Sequence, residues 1–509
     1  MMDKLLQRLK CRNALIFTFL AFYAVFITMQ STLAPYSKVI PWVDSHVFIY
    51  VAKVLLNGGR LYTDVFDHKG PLLYFINAIG LSLHEYTGIW LIEFLSIFLA
   101  MLFAFKTARL VFSRTASLIS VLLSFAYLIE TFGFGNYTEN YALPYILLTQ
   151  FIFLRLVHQQ KDLTKLKIML VGSMFSFTFL LRPNLVFLWV LFCVYILLVK
   201  IREKKYKQLW TYVGYFFTGS FIILLPVAVY FICLGNFSDF IKDYFLYNIR
   251  YATAEKDFAQ KINAIEFFIN NDIVKLSLVL HFIAIYLNRE KKFYKNIFCI
   301  NALGFFFAFF IVVSPANNFS HYATVLIPFM VLPIANLIEI IFKELKFNPL
   351  LSIAAILGLF IFILCPYFSK QSKQISWKSS GTNISYALVE YIQNNTEESE
   401  KIIVDSNDCW VYTKSHRWAA SRFAYRPWPM TQEMNGIFAK EIKENKPKFV
   451  ISRNENSDIL QILQDAGLEY KLNKKIDDFY IFSQATSGSN FLDSDNNIDS
   501  LFDFSSDIK

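Results

Sequence analysis

The first 368 residues are long apolar runs separated by short polar loops. Runs of about 18 or more apolar residues are long enough to cross a bilayer. The pattern predicts eleven membrane spans, near 14–33, 89–105, 115–132, 141–157, 168–181, 185–199, 209–234, 273–288, 296–313, 321–342 and 349–368. The fifth and sixth come from one apolar run, residues 168–199, interrupted by Arg182-Pro183-Asn184. As a single helix that run would reach about 48 Å against a hydrocarbon core of roughly 30 Å. Both of its flanks are basic, with Lys165 and Lys167 before it and Lys200, Arg202, Lys204, Lys205 and Lys207 after. Two short crossings satisfy both flanks and leave Arg182 below the outer surface, where a charged side chain faces a polar cavity.

Beyond Ser369 the pattern changes. Residues 383–395, 431–444 and 457–466 carry helical periodicity, and 401–405, 448–452 and 479–482 read as buried strands. The expected fold is a polytopic α-helical membrane protein with a small extracytoplasmic α/β domain at its C-terminal end. The expected division is 1–368, a membrane domain whose first outer loop is 34–88, then 369–485, then a disordered tail, 486–509, rich in Ser, Asn and Asp. The sequence contains no internal repeat. The first span has no small-residue cleavage pattern after it, so no cleavable signal peptide is expected.

Charge fixes orientation. Only 17% of residues are charged, and the net charge is +10. The basic residues lie in short loops between spans, which argues for the positive-inside rule and against nucleic-acid binding. Lys4, Arg8, Lys10 and Arg12 place the N-terminus in the cytoplasm, and eleven spans place the tail outside a plasma membrane. The six cysteines are scattered and follow neither a disulfide framework nor a zinc spacing.

Polar groups then gather at the outer face. The first loop brings Asp44, His46, Asp67, His68 and Lys69. Glu130 and Glu139 flank the second loop, Arg182 sits at the short span, His321-Tyr322 opens span ten, and Glu93 lies one turn inside span two. Outside the membrane no nucleotide sugar is expected, and no phosphate-binding glycine fingerprint occurs. An activated donor would arrive through the lipid, as a sugar on a polyprenyl phosphate. Its leaving group needs little acid assistance. Such a site needs a carboxylate to deprotonate the acceptor hydroxyl and cations to hold the phosphate charge. Asp44 is the natural base, and Lys69 and Arg182 are the natural phosphate partners. His46, Asp67, His68, Glu139, His321 and Tyr322 are further candidates.

Asp44, Gly59-Arg-Leu-Tyr62 and Asp67-His-Lys-Gly-Pro71, with Asn136-Tyr-Thr-Glu139, Arg182-Pro-Asn184 and Ser320-His-Tyr322, resemble the GT-C class of glycosyltransferases. The similarity runs over about residues 14–368 and is nearest to the bacterial relatives of protein O-mannosyltransferases and the lipid A aminoarabinose transferase. It implies an inverting transferase that moves a sugar from a polyprenyl-phosphate donor to a cell-envelope acceptor (glycan, lipid or protein), with Asp44 as catalytic carboxylate. It also implies two helices in the first outer loop. The acidic pair of some relatives is absent, since Ser45 follows Asp44. A divalent metal is allowed but not expected, and no other cofactor is implied.

Plainer readings stand beside these. Asp44 suits a helix N-cap, Lys69 an interfacial anchor, and Arg182 an ion pair with Glu130 or Glu139. Glu139 suits a helix N-terminus, and His321-Tyr322 an interfacial anchor. A transporter or flippase of envelope glycolipids would call for charges near the bilayer centre and repeat symmetry. A non-catalytic scaffold would leave the crowding of the first loop unexplained.

Overall fold

The structure is a computed structural model that describes residues 2–35, 37, 43–253, 257–344, 354, 358, 361, 385–427 and 429–484. Helices occupy ten of the eleven predicted segments. The eleventh, 349–368, lies outside the described residues except at isolated positions, and so does the tail after 486. By length and composition, seven described helices could cross a membrane. The count is eight if the pair Phe258–Ile269 and Asp272–Leu287, bent by 76°, is one span. The chain is a multi-pass membrane protein.

In order, α1 is Met2–Thr28, α2 Val43–Leu56, α3 Pro71–Leu83, α4 Glu85–Ala108, α5 Arg114–Ala126 and α6 Leu128–Thr131. They are followed by α7 Thr138–Gln159, α8 Lys165–Leu181, α9 Phe187–Arg202 and α10 Tyr206–Cys233. The first long loop, residues 34–88, is largely helical, since α2 and α3 form within it. The stretch from Gly235 to Asp272, expected as a loop, also carries short helices. α8 stops at Arg182, where Pro183 starts a 3-10 turn, Pro183–Val186, because proline removes the donor and clashes with the preceding turn. Small residues bring α8 and α10 together: the Ser173 hydroxyl donates to Gly219 O (2.9 Å) and that of Ser220 to Gly172 O (3.1 Å).

The C-terminal part holds a four-stranded sheet of order β1-β2-β4-β3, with β1 Ile402–Asp405, β2 Phe449–Ser452, β3 Tyr470–Ile476 and β4 Phe479–Gln484. β1 and β2 are parallel, and β4 is antiparallel to β2 and β3. Helices Tyr386–Asn395, Gln432–Asn445 and Ile459–Asp465 accompany it. β3 and a short helix, Trp410–Ser415, are additions to the predicted elements. Residues 471–475 of β3 are all exposed, so no apolar alternation marks that strand.

This part is seated on the loop of residues 34–88. The Ala419 amide donates to the Tyr50 hydroxyl (3.0 Å), and the Phe66 amide donates to Arg422 O (2.8 Å). The Arg422 guanidinium pairs with Asp243.

Candidate active site

Local sequence explains how distant residues meet. The Gly70 amide donates to Leu181 O (3.1 Å), and a Cβ on Gly70 would stand 1.8 Å from Leu180 O. Only glycine permits that approach, which places Lys69 beside the chain end that carries Arg182. The Tyr62 hydroxyl donates to Lys69 O (2.7 Å) and the Asn248 amide to His68 O (2.6 Å), which fixes the strap.

The turn at residues 133–136 is held by buried polar groups. Gly133, Gly135 and Asn136 all have positive φ, at 61°, 85° and 65°. A Cβ on Gly135 would lie 2.3 Å from Ser31 Oγ and 2.7 Å from Glu93 Oε2. Glu93, fully buried on α4, accepts from the Asn136 amide (2.6 Å) and from Asn140 Nδ2 (3.0 Å). Asn136 Nδ2 donates to Ser45 Oγ (2.9 Å) and to Asn77 Oδ1 (2.8 Å). One buried polar cluster therefore ties the turn to α2, at the residue next to Asp44, and to α3.

Above it lies a cavity of about 570 Å³. Asp44, Asp67, His68, Lys69, Glu139, Arg182, His321 and Tyr322 all line it. Asp44 occupies the first turn of α2 and is half-buried. Burial pushes its carboxyl above the usual aspartate range; Lys69 and Arg182 oppose this, while Asp67 and Glu139 add to it. Asp67 is also buried, which by itself would raise its pKa, yet contacts with His68 and the Lys69 charge hold it down at about 2. Its Oδ1 accepts from the Tyr425 hydroxyl (3.0 Å). Burial, and then the Lys69 charge, lower the His68 pKa, while Asp67 opposes them.

Arg182 pairs with Glu139 and places its guanidinium 4.4 Å from the centre of the Tyr322 ring. His321 stacks on Tyr137, with ring centres 4.1 Å apart. Of the two partners foreseen for Arg182, Glu139 is the one it meets. Glu130 instead accepts from Asn271 Nδ2 (2.7 Å) and is absent from the cavity wall.

His46 departs from the expectation, because it is buried away from the cavity. It lies two residues beyond Asp44 on one helix, about 200° around its axis. Burial lowers its pKa to about 3. Tyr137, Tyr251, Asn318, Phe319, Asn407 and Tyr425 line the cavity without having been foreseen. Among the described residues, no group of three or more His, Cys, Asp or Glu could hold a metal ion.

The family described as "Putative competence-induced protein Ccs4 N-terminal domain" matches residues 7–346, which include the cavity residues Asp44, Lys69 and Arg182. The chain belongs to this family. A comparison with curated proteins gives no match. Among solved structures, the chain is similar to ArnT from Cupriavidus metallidurans bound to undecaprenyl phosphate, with a TM-score of 0.62 and 11% identity. That match covers 94% of this chain and 99% of that one. The apo state of the same ArnT gives 0.61 and 11%, covering 93% and 98%. AglB, the archaeal oligosaccharyltransferase from Archaeoglobus fulgidus, gives 0.49 and 12%, covering 92% and 74%. The ArnT likeness shows that the chain, including its C-terminal part, has the fold of ArnT.

Proposed function

We propose that this protein is an inverting glycosyltransferase that moves a sugar from a polyprenyl-phosphate donor to a hydroxyl of a cell-envelope acceptor. The observation that carries this reading is one cavity shared by Asp44, Lys69 and Arg182. Asp44 takes the proton of the acceptor hydroxyl as its oxygen bonds to the anomeric carbon. The bond from that carbon to the phosphate oxygen breaks on the opposite side, which inverts the centre. The charge left on the polyprenyl phosphate is met by the Lys69 ammonium and the Arg182 guanidinium. Glu139 and Tyr322 hold the guanidinium in place before the donor arrives.

Orientation follows from charge. The loops carrying Lys161, Lys165, Lys204 and Lys205 face the cytoplasm, as does the N-terminus. The cavity and the sheet seated above it then face outward. A donor presented from the outer leaflet would bring its phosphate to the depth of Lys69 and Arg182. The ArnT structure holds undecaprenyl phosphate, which supports a lipid-phosphate donor for this fold. The test is transfer of a labelled sugar from a polyprenyl-phosphate donor in membranes containing the protein. Turnover that requires Asp44 and Lys69 supports the reading, and donor-independent labelling contradicts it.

A further inference from the structure

The cavity is charged within its walls and neutral at part of its rim. Asp44, Asp67 and Glu139 face Lys69 and Arg182, three carboxylates against two cations. A donor phosphate would add further negative charge. The rim formed by Asn318, Phe319, Ser320 and Asn407 carries no charge, and all four residues are exposed.

Phe319 is the aromatic member of that rim. It is 51% exposed, yet its ring is braced. It lies stacked 5.7 Å from His321 and edge-on, 5.6 Å, to Tyr322. Asn407, which lines the same cavity, belongs to the loop after β1. That loop is clamped, because the Ser406 hydroxyl donates to Asp408 Oδ2 (2.6 Å) and Arg453 Nε donates to the same oxygen (2.7 Å). A fixed aromatic face flanked by amides and a hydroxyl suits a pyranose: the ring covers its C–H face, and the amides meet its hydroxyls.

We infer that this rim is an acceptor subsite for a neutral glycan, with Phe319 as its platform. An acceptor bearing phosphate would meet the surplus of carboxylates, and among the described cavity-lining residues the exposed four supply no cation to hold it, the nearby Arg453 being taken by Asp408. The inference rests on the transferase reading and names the acceptor class.

The test uses the full chain in detergent. Saturation-transfer NMR is recorded with neutral tetrasaccharides of β1,4-glucose, α1,4-glucose and β1,4-N-acetylglucosamine, and with a glycerol-phosphate oligomer as the anionic probe. Undecaprenyl phosphate binding is followed separately by thermal shift. Expected is transfer to the C–H protons of at least one neutral tetrasaccharide, weakened about tenfold in Phe319→Ala and kept in Phe319→Tyr. Asn407→Ala should weaken the same signal. The lipid shift should be unchanged in Phe319→Ala and reduced in Lys69→Ala. No transfer to any neutral glycan, transfer only to the anionic oligomer, or equal binding by Phe319→Ala would overturn the inference. If lipid binding persists in that event, the transferase reading stands; if wild type fails to bind the lipid, that reading falls instead.

Discussion

The Lys69 ammonium lies 2.9 Å from Nε2 of His68. An ammonium has only donors, so Nε2 is the acceptor and the imidazole proton sits on Nδ1. That nitrogen stands 3.2 Å from Asp67 Oδ1. The Asp67-His-Lys69 motif thus sets one cation against a histidine ring that lies beside Asp67. Among the described residues Lys69 makes no ion pair with a carboxylate, so its charge is available to a ligand.

Loss of that charge should appear in donor use. Lys69→Ala removes a charge-assisted contact of about 1.5–3 kcal/mol, roughly tenfold to more than a hundredfold in rate. Melting temperature should fall less than in Arg182→Ala, because Lys69 gives up its contact with His68 Nε2 but breaks no ion pair. Arg182→Ala differs, since it strips Glu139 of its buried partner and should lower both activity and stability. Unchanged turnover in both variants would rule out the phosphate clamp.

The pH profile has a defined sign. Asp44 must be ionised to act as a base, and burial raises its pKa above the ordinary aspartate value. Turnover should therefore rise with pH through a limb that lies above the usual carboxylate range. Lys69 favours the ionised form, so Lys69→Ala should move the limb in the residual rate to still higher pH. A limb at or below the ordinary aspartate value would contradict the burial of Asp44.

The C-terminal part should be required. Tyr425 donates to Asp67 in the cavity wall, and Arg422 anchors the sheet region to Asp243. Truncation before Ser369 should abolish transfer, whereas truncation after Gln484, the last residue of β4, should preserve it. Tyr425→Phe removes one hydrogen bond to a charged acceptor and should lower turnover about tenfold. Full activity of the short truncation, measured in the sugar-transfer assay, would show the sheet region to be dispensable.

Topology can be read with an impermeant thiol reagent, but not at Cys409, which is fully buried. Lys440→Cys on the exposed face of Gln432–Asn445 should label in intact cells. Lys161→Cys should label only after lysis. The reverse pattern would invert the proposed orientation.

Much of this was legible in the sequence. Apolar runs located the helices, and Arg182-Pro183 marked the break that turns a guanidinium into the cavity. Eight of the nine candidate site residues line that cavity, because charges at a membrane mouth are costly without a polar neighbour. The ninth, His46, does not line it, because proximity in sequence is not proximity around a helix. The residues that were missed carry no charge. Tyr137, Tyr251 and Tyr425 are three of 28 tyrosines, and only the fold shows which of them reach the cavity. The Glu93–Asn136 contact depends on a left-handed residue in a turn, which neither composition nor periodicity reveals.

The most direct test of the account is the transfer rate of Asp44→Asn beside that of Asp64→Asn. Asparagine keeps the shape of Asp44 but is a far poorer base. Asp64 is the matched control, since it is exposed, pairs with Arg60 at 3.1 Å and does not line the cavity. With both proteins folded and present at equal levels, Asp44→Asn should lose roughly 100-fold or more in sugar transfer, the usual scale of general-base catalysis, while Asp64→Asn stays close to wild type. Near wild-type transfer by Asp44→Asn would contradict the account and move the search for the base to Asp67 and Glu139.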